Sequence, residues 1–177
     1  MQRLGRKTMR TYAGIGARAT PQPILQLMTR CSFALAKRGY LLRSGHADGA
    51  DSAFEAGAGN NAEIYLPAPR WRGSPSALHP EVIGPVIWHR ARMIAAKHHP
   101  AFATLSEFVQ NLHTRNVFQV LGRDLTAPSE FVLCWTPTGE AEGGTGQAIR
   151  IAIAHNVPVY NLQRPRERSH VEKHLGV

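Results

Sequence analysis

The chain has 177 residues, 43% of them apolar, and a formal net charge of +9. That length suffices for one domain with an independent core. No apolar run approaches the roughly 20 residues needed to cross a bilayer as a helix, so a membrane-spanning helix is excluded and no membrane partner is expected.

Residues 1–9 read as a basic extension with Arg3, Arg6 and Lys7. Met9 to Ala13 predicts a first strand. Thr20 as N-cap and Pro21 at the first helical position open a helix to about Arg38, with Ile24, Leu25, Leu27, Met28, Cys31 and Leu35 on its apolar side and Gly39 as its stop. Tyr40 to Arg43 is a short strand. Asp48 or Gly49 opens a small-residue helix to Ala58, and Ala62 to Leu66 is the third strand. Pro67 to Pro80 is a loop carrying Arg70, Trp71 and Arg72. A helix follows, from Ser76 or Pro80 to Lys97. Ser106 to Leu121 is another, with Phe108, Val109, Leu112, Val117, Val120 and Leu121 spaced for burial. Glu130 to Trp135 is the fourth strand, Thr145 to His155 a helix, Val157 to Asn161 the fifth strand, and 163–177 a basic peripheral tail. This β-α-β rhythm predicts an α/β fold: a three-layer Rossmann-like domain over 10–162 with a mainly parallel sheet of about five strands.

The charge is concentrated at the ends. Residues 11–163 carry 13 basic and 10 acidic side chains, so the body is nearly balanced. The basic ends read either as a footprint for nucleic acid or as solvated tails. Residues 1–10 lack the apolar segment of a secretory signal. Cys31 and Cys134, in a helical and a strand pattern, read as buried reduced thiols, and a cytoplasmic setting is expected. The nine histidines form no spaced metal set, no lysine follows the glycine turns as in a phosphate-binding Walker loop, and neither metal nor cofactor is expected.

Three glycine-rich turns fall between a strand and a helix: Gly14-Ile15-Gly16-Ala17-Arg18, Ser44-Gly45-His46-Ala47-Asp48-Gly49-Ala50-Asp51, and Gly143-Gly144-Thr145-Gly146-Gln147. That arrangement brings backbone N–H groups and a helix start against a phosphate. Gly14 and Gly16 either admit a ligand or allow a tight turn. Arg18 neutralises a phosphate or is solvated. Ser44 and Gly45 face phosphate, and Asp48 and Asp51 accept from ribose hydroxyls or cap a helix. Thr145 is a phosphate ligand or an N-cap, and Gln147 reads a base edge. Trp135 and Thr136 end the fourth strand, where ligands bind in open α/β sheets; Trp135 stacks on a base or packs the sheet edge. Arg115, with Asn116, lies on an apolar helix and requires a partner, either ligand phosphate or a structural carboxylate. Arg70, Trp71 and Arg72 read as a lid, a nucleic-acid contact or an ordinary surface loop.

Taken in order, Tyr12 to Arg18, Ser44 to Ala53 and Gly143 to Ala148 resemble the SLOG superfamily, and within it the small stand-alone DprA-like proteins of phages. The superfamily includes the Rossmann-like domain of the DNA-processing protein DprA and the LOG, or "lysine decarboxylase-like", phosphoribohydrolases. The resemblance covers roughly 10–162 and implies a nucleotide-binding sheet and often a homodimer or higher homo-oligomer. DprA-type members bind single-stranded DNA, and LOG-type members cleave the N-glycosidic bond of nucleoside 5′-monophosphates. Other members sense NAD-derived signals, and phages sequester or destroy such signals in anti-defence. LOG enzymes carry an arginine-lysine pair on the helix before the fourth strand. Here Arg115 matches the arginine, Asn116 stands at the lysine, and Arg150 stands at the glutamate of the glycine motif. Glu140 and Glu142, just before that motif, are the substitute carboxylates, and with Arg115 they are the catalytic candidates.

Three functions are therefore open: a sponge or sensor for a nucleotide or ADP-ribose-type signal, a nucleotide N-glycosidase, and a single-stranded DNA binder working through the basic ends.

Overall fold

Five strands of three to five residues alternate with helices in the computed structural model, which describes residues 9–177. The order is β1 (Arg10–Gly14), α1 (Gln22–Lys37), β2 (Tyr40–Ser44), α2 (Ala50–Ala58), β3 (Ala62–Ile64), α3 (Pro80–Ile83), α4 (Pro85–Lys97), α5 (Glu107–Leu121), β4 (Val132–Cys134), α6 (Gly143–Ala154), β5 (Val159–Asn161) and α7 (Pro165–Leu175). The strands form one sheet in the order β3-β2-β1-β4-β5, and all four pairings are parallel. Parallel neighbours require long crossovers, and the helices supply them. The basic extension 1–9 lies, Met9 apart, outside the described residues.

Each face of the sheet has its own core. On one side Leu27, Met28, Cys31 and Leu35 of α1 meet Phe54 of α2 and Val171 and Leu175 of α7. On the other, Trp88 and Ala91 of α4 meet Val117, Phe118 and Leu121 of α5 and Ile149 and Ile151 of α6. The chain winds outward from β1 through β2 to β3, then returns to lay β4 on the other side of β1. The loops leaving β1 and β4 therefore diverge, which opens a crevice at the carboxyl ends of the strands.

Helices α1 and α2 touch through small side chains. A Cβ on Gly57 would stand 2.2 Å from the Thr29 carbonyl oxygen and 2.7 Å from Ser32 Cβ. Ser32 Oγ donates to the Phe54 carbonyl at 2.6 Å, and Thr29 Oγ1 donates to that of Ala53 at 3.0 Å. The small-residue composition of α2 thus serves close packing.

The structure departs from the sequence reading in four places. Thr20 does not cap α1: Pro21 holds the N-cap, and Thr20 Oγ1 donates to the Ala17 carbonyl at 2.6 Å. The helix expected to end at Lys97 is broken into α3 and α4 at Gly84, whose φ is +93°. Pro85 lacks an N–H and disfavours helical geometry in the residue before it. Helix α6 begins two residues earlier than expected, at Gly143. Residues 163–177, read as a peripheral tail, form α7, which buries Val171 and Leu175 against the sheet. Its signal was Val171 and Leu175 four apart among charged residues, too sparse a stripe to mark a helix.

Among the described residues, no helix is long and apolar enough to cross a membrane. Cys31 and Cys134 are free and buried, and burial pushes the Cys31 thiol up to about 12. Gly57→Ala is expected to lower stability by about 1–3 kcal/mol in urea unfolding, because the added methyl meets backbone. The better helix propensity of alanine, worth about 1 kcal/mol, opposes this without cancelling it. Unchanged or raised stability would contradict the close α1–α2 contact.

Candidate functional site

The crevice between the loops after β1 and β4 holds a cavity of about 560 Å³. Its walls are the 15–19 loop after β1, Ala47 and Asp51 at the start of α2, one side of α5, Thr136 and Pro137 after β4, and the first turn of α6. The volume is that of a small-molecule site. Gly16 lets the first wall form: a Cβ there would be 2.6 Å from Ala50 Cβ and 3.3 Å from the Trp135 carbonyl oxygen.

Arg115 forms part of the α5 wall and is 6% exposed. Its Nη1 lies 3.6 Å from Asp51 Oδ2, and Asp51 is itself 4% exposed. With the Gln119 amide turned so that its oxygen faces the donors, that oxygen accepts from Arg115 Nη1 at 2.8 Å and from the Gly45 N–H at 2.7 Å. Arg115 Nε is buried and has no hydrogen-bond partner among the described residues. Leaving such a donor unanswered costs about 1–3 kcal/mol, more for a charged group. Burial pushes both members toward neutrality: the guanidinium is held below its ordinary value, and the Asp51 carboxyl is pushed up to about 6 although Arg115 and the Ala47 N–H pull it down.

Helix α6 presents its opening turn to the same cavity through Gly143, Gly144 and Thr145. Gly143 has φ +60°, and it and Gly144 are exposed. The first N–H groups of a helix have no partner within it and carry partial positive charge. A polar chain braces this turn from below. Asn116 Nδ2 donates to the Gly144 carbonyl at 3.4 Å and to Gln147 Oε1 at 3.2 Å, while Gln147 Nε2 donates to the Ala95 carbonyl at 3.1 Å. That fixes Oε1 as an acceptor, so the 3.0 Å contact with His113 requires the proton on His113 Nδ1. Burial lowers the His113 pKa, which keeps the ring neutral and its Nε2 an acceptor on the cavity wall.

Of the residues singled out in the sequence, Gly16, Arg18, Asp51, Arg115, Asn116, Thr136, Glu142, Gly143, Gly144 and Thr145 line this cavity together. The others do not, for definite reasons. Gly14 makes room for a ring, since a Cβ there would be 2.6 Å from Phe54 Cγ. Ser44 is fully buried and its Oγ donates to the Gly14 carbonyl at 2.8 Å, so it does not face phosphate. Gly45 lies behind the wall, where a Cβ would overlap the Arg115 guanidinium. Asp48 is exposed and ion-paired to Arg72. Trp135 does not stack on a base: it is 5% exposed in the core, and its Nε1 donates to Gln163 Oε1 at 2.9 Å. Gly146 packs against Ala141, and the Gln147 side chain, fully buried, braces α6 and reads no base edge. Glu140 is on the outer surface, 3.2 Å from Arg164.

Thr145 does not cap α6; Glu142 holds that position. Glu142 reaches the cavity rim, but its Oε1 accepts from the Thr138 N–H at 2.8 Å and hydroxyl at 2.7 Å, which hold the carboxyl below its usual range. Arg150, at the place of the motif glutamate, donates to the carbonyls of His98 and Ala141. In the 67–80 loop, the Trp71 ring lies over Arg115, with Cζ 5.4 Å from its centroid, between left-handed residues Arg70 and Arg72.

Val109, Leu112, His113 and Gln119 were not singled out in the sequence as site residues, yet they line the cavity. Gln119 was reachable, since it lies four residues after Arg115 and so on the same side of the helix. Val109 and Leu112 carried no signal, because an apolar cavity wall and a core face share one periodicity. Among the described residues, no three His, Cys, Asp or Glu side chains converge as metal ligands.

No family model and no curated protein matches this chain. A solved structure does: DNA processing protein A from Helicobacter pylori, described for its single-stranded DNA binding mode, with a TM-score of 0.56 and 18% identity. The match covers 86% of this chain and 65% of that one, so this chain spans just under two thirds of the protein it resembles. At that identity the likeness establishes a shared Rossmann-like fold.

The Asp51 carboxyl supplies a pH test. A carboxyl at about 6 when folded, against about 3.8 otherwise, binds its proton more tightly in the folded state. Its contribution to stability is therefore full below pH 4 and lost as pH rises through 6. The loss is about 3 kcal/mol at most. Urea unfolding of wild type and Asp51→Asn across this range is expected to show the wild type losing stability relative to the variant. A constant difference would contradict the burial of this carboxyl.

Proposed function

We propose that the cavity binds a nucleotide or an ADP-ribose-type signalling nucleotide, with phosphate at the opening turn of α6 and the sugar toward Asp51 and Gly16. The observation that carries this reading is Arg115: a buried guanidinium on the cavity wall whose Nε has no partner among the described residues, one residue from the Asn116 that steadies the α6 turn. A ligand oxyanion supplies the missing acceptor, and the α6 N-terminus adds a second source of positive potential. Asp51, accepting from the Ala47 N–H at 3.3 Å, has lone pairs left for sugar hydroxyls. Binding without turnover fits the carboxylates best, since Glu140 lies outside and Glu142 is bonded to Thr138. Such a protein acts as a sponge or sensor, and an anti-defence role follows where the ligand is an alarm signal.

One observation favours a second reading, cleavage of an N-glycosidic bond. Asp51 lies in the cavity beside Arg115 with its carboxyl pushed up to about 6, within the range of a general acid or base at neutral pH.

Calorimetry with AMP, ADP-ribose, cyclic ADP-ribose and NAD, followed by chromatography of the recovered ligand, separates the two. Micromolar or tighter binding with intact ligand supports the sponge or sensor; released base supports the hydrolase. Arg115→Gln is expected to weaken binding by roughly 10–150-fold, the value of one charge-assisted hydrogen bond. The double variant Arg115→Gln/Asp51→Asn removes both charges, so the pair is lost without an orphaned ion. Binding by neither wild type nor variants would overturn the proposal.

A further inference from the structure

His113 lies on the wall of the nucleotide cavity, 9% exposed, one helical turn before Asn116. Its ring is held from behind. Among the described residues its ring makes one hydrogen bond, from Nδ1 to Gln147 Oε1 at 3.0 Å, and Gln147 is itself oriented by donation to the Ala95 carbonyl. The nitrogen left free is Nε2, which carries no proton in the neutral ring. Cε1, the ring carbon between the two nitrogens, would stand 3.8 Å from a Cβ placed on Gly144. Nε2 is one bond beyond it, on the side away from Gln147. It therefore sits at the edge of the α6 opening turn, where the first N–H groups have no partner within the helix.

A lone pair at that edge repels the oxyanion that the helix start and Arg115 attract. One proton on Nε2 removes the conflict and turns the acceptor into a charge-assisted donor. In the free protein that proton is opposed. Burial disfavours the imidazolium, and so do His99 from the segment after α4, Arg115 from α5 itself and Arg150 from α6. The His99 ring is 4.4 Å away and inclined by 59°. Arg18, on the loop after β1, adds positive charge to the same cavity. The cavity carboxylates are engaged elsewhere: Asp51 faces Arg115, and Glu142 accepts from Thr138. What favours the charged ring is an arriving anion.

We infer that His113 is a direct ligand of the bound phosphate and that binding places a proton on its Nε2, so the site takes up anion and proton together; this rests on the nucleotide reading of the cavity. The complex then holds more protons than the free protein, so affinity rises as pH falls, by up to about tenfold per unit between about pH 8 and about pH 6. The test uses the full chain and ADP-ribose, whose pyrophosphate does not titrate in this range, unlike the AMP monoester at about 6. A long-range proton–nitrogen spectrum of the histidine rings, assigned with His113→Asn, is expected to show a neutral ring protonated at Nδ1 in the free protein and an imidazolium in the complex. Calorimetry in buffers of different ionisation enthalpy is expected to show matching proton uptake. His113→Asn keeps an N–H for Gln147 but leaves nothing at the Nε2 position. It is expected to melt as wild type, to bind about tenfold or more weakly near pH 6, and to lose the pH dependence. His113→Gln, whose amide nitrogen reaches the Nε2 position, is expected to recover part of that affinity without recovering the pH dependence. Asp51 titrates in the same range, so the series is repeated in Asp51→Asn, where the His113 share is expected to persist. Three results overturn the inference and leave the nucleotide reading standing: a ring that stays neutral in the complex, a pH dependence that survives His113→Asn, or one that vanishes in Asp51→Asn alone, which assigns the proton to Asp51. Absence of binding by both ADP-ribose and AMP overturns the two together.

Discussion

A guanidinium taken out of water has to be answered by its surroundings, and much of this molecule is arranged around Arg115. Gly45 carries no side chain because the Arg115 head occupies the space where its Cβ would be. Asp51 is drawn into the interior at the start of α2 to face it, and Gln119 bridges it to the Gly45 N–H. Trp71 covers it from the long loop. Three separate segments thus converge on one cation. A buried ion pair is a weak source of stability, since desolvation offsets most of the attraction. Its Nε has no hydrogen-bond partner among the described residues, and the proposed role as a binding group rests on that.

The sheet decides where that group is of use. Strand order reverses between β1 and β4, so the backbone beyond each strand end parts, and Gly16 and Thr136 become opposite walls of one crevice. Helix α6, on the face shared with α5, begins at that crevice. The brace of Asn116, Gln147 and His113 ties the α6 opening turn to α5, the helix that carries Arg115. Two sources of positive potential, one a side chain and one backbone, are therefore held in fixed relation by secondary structure on both sides.

Most of the architecture was legible in the sequence because its signals are local. Proline and glycine punctuation marks the element ends, and the β-α-β rhythm requires parallel pairing. The site was legible only in part. Gly143 and Gly144 of the third turn and the pair Arg115–Asn116 lie at the cavity, but residue type does not reveal direction. Ser44, Trp135 and Gln147 are polar-tipped residues at strand or helix ends, and each turns inward to satisfy a buried partner. Gly14 and Gly146 are small because neighbouring atoms crowd them, a packing reason that a motif cannot distinguish from ligand access. The helical character of residues 165–175 was hidden by their charge, although two apolar side chains suffice to seat them.

The central claim is that the unpartnered Arg115 N–H is reserved for an oxyanion of a bound nucleotide. The most direct measurement is a proton–nitrogen correlation spectrum of the arginine Nε–H groups, recorded with and without AMP or ADP-ribose and assigned by loss of one signal in Arg115→Gln. The account requires the Arg115 signal to move strongly downfield on ligand addition and to show a coupling to phosphorus across the new hydrogen bond. A ligand that binds while leaving that signal in place would contradict it.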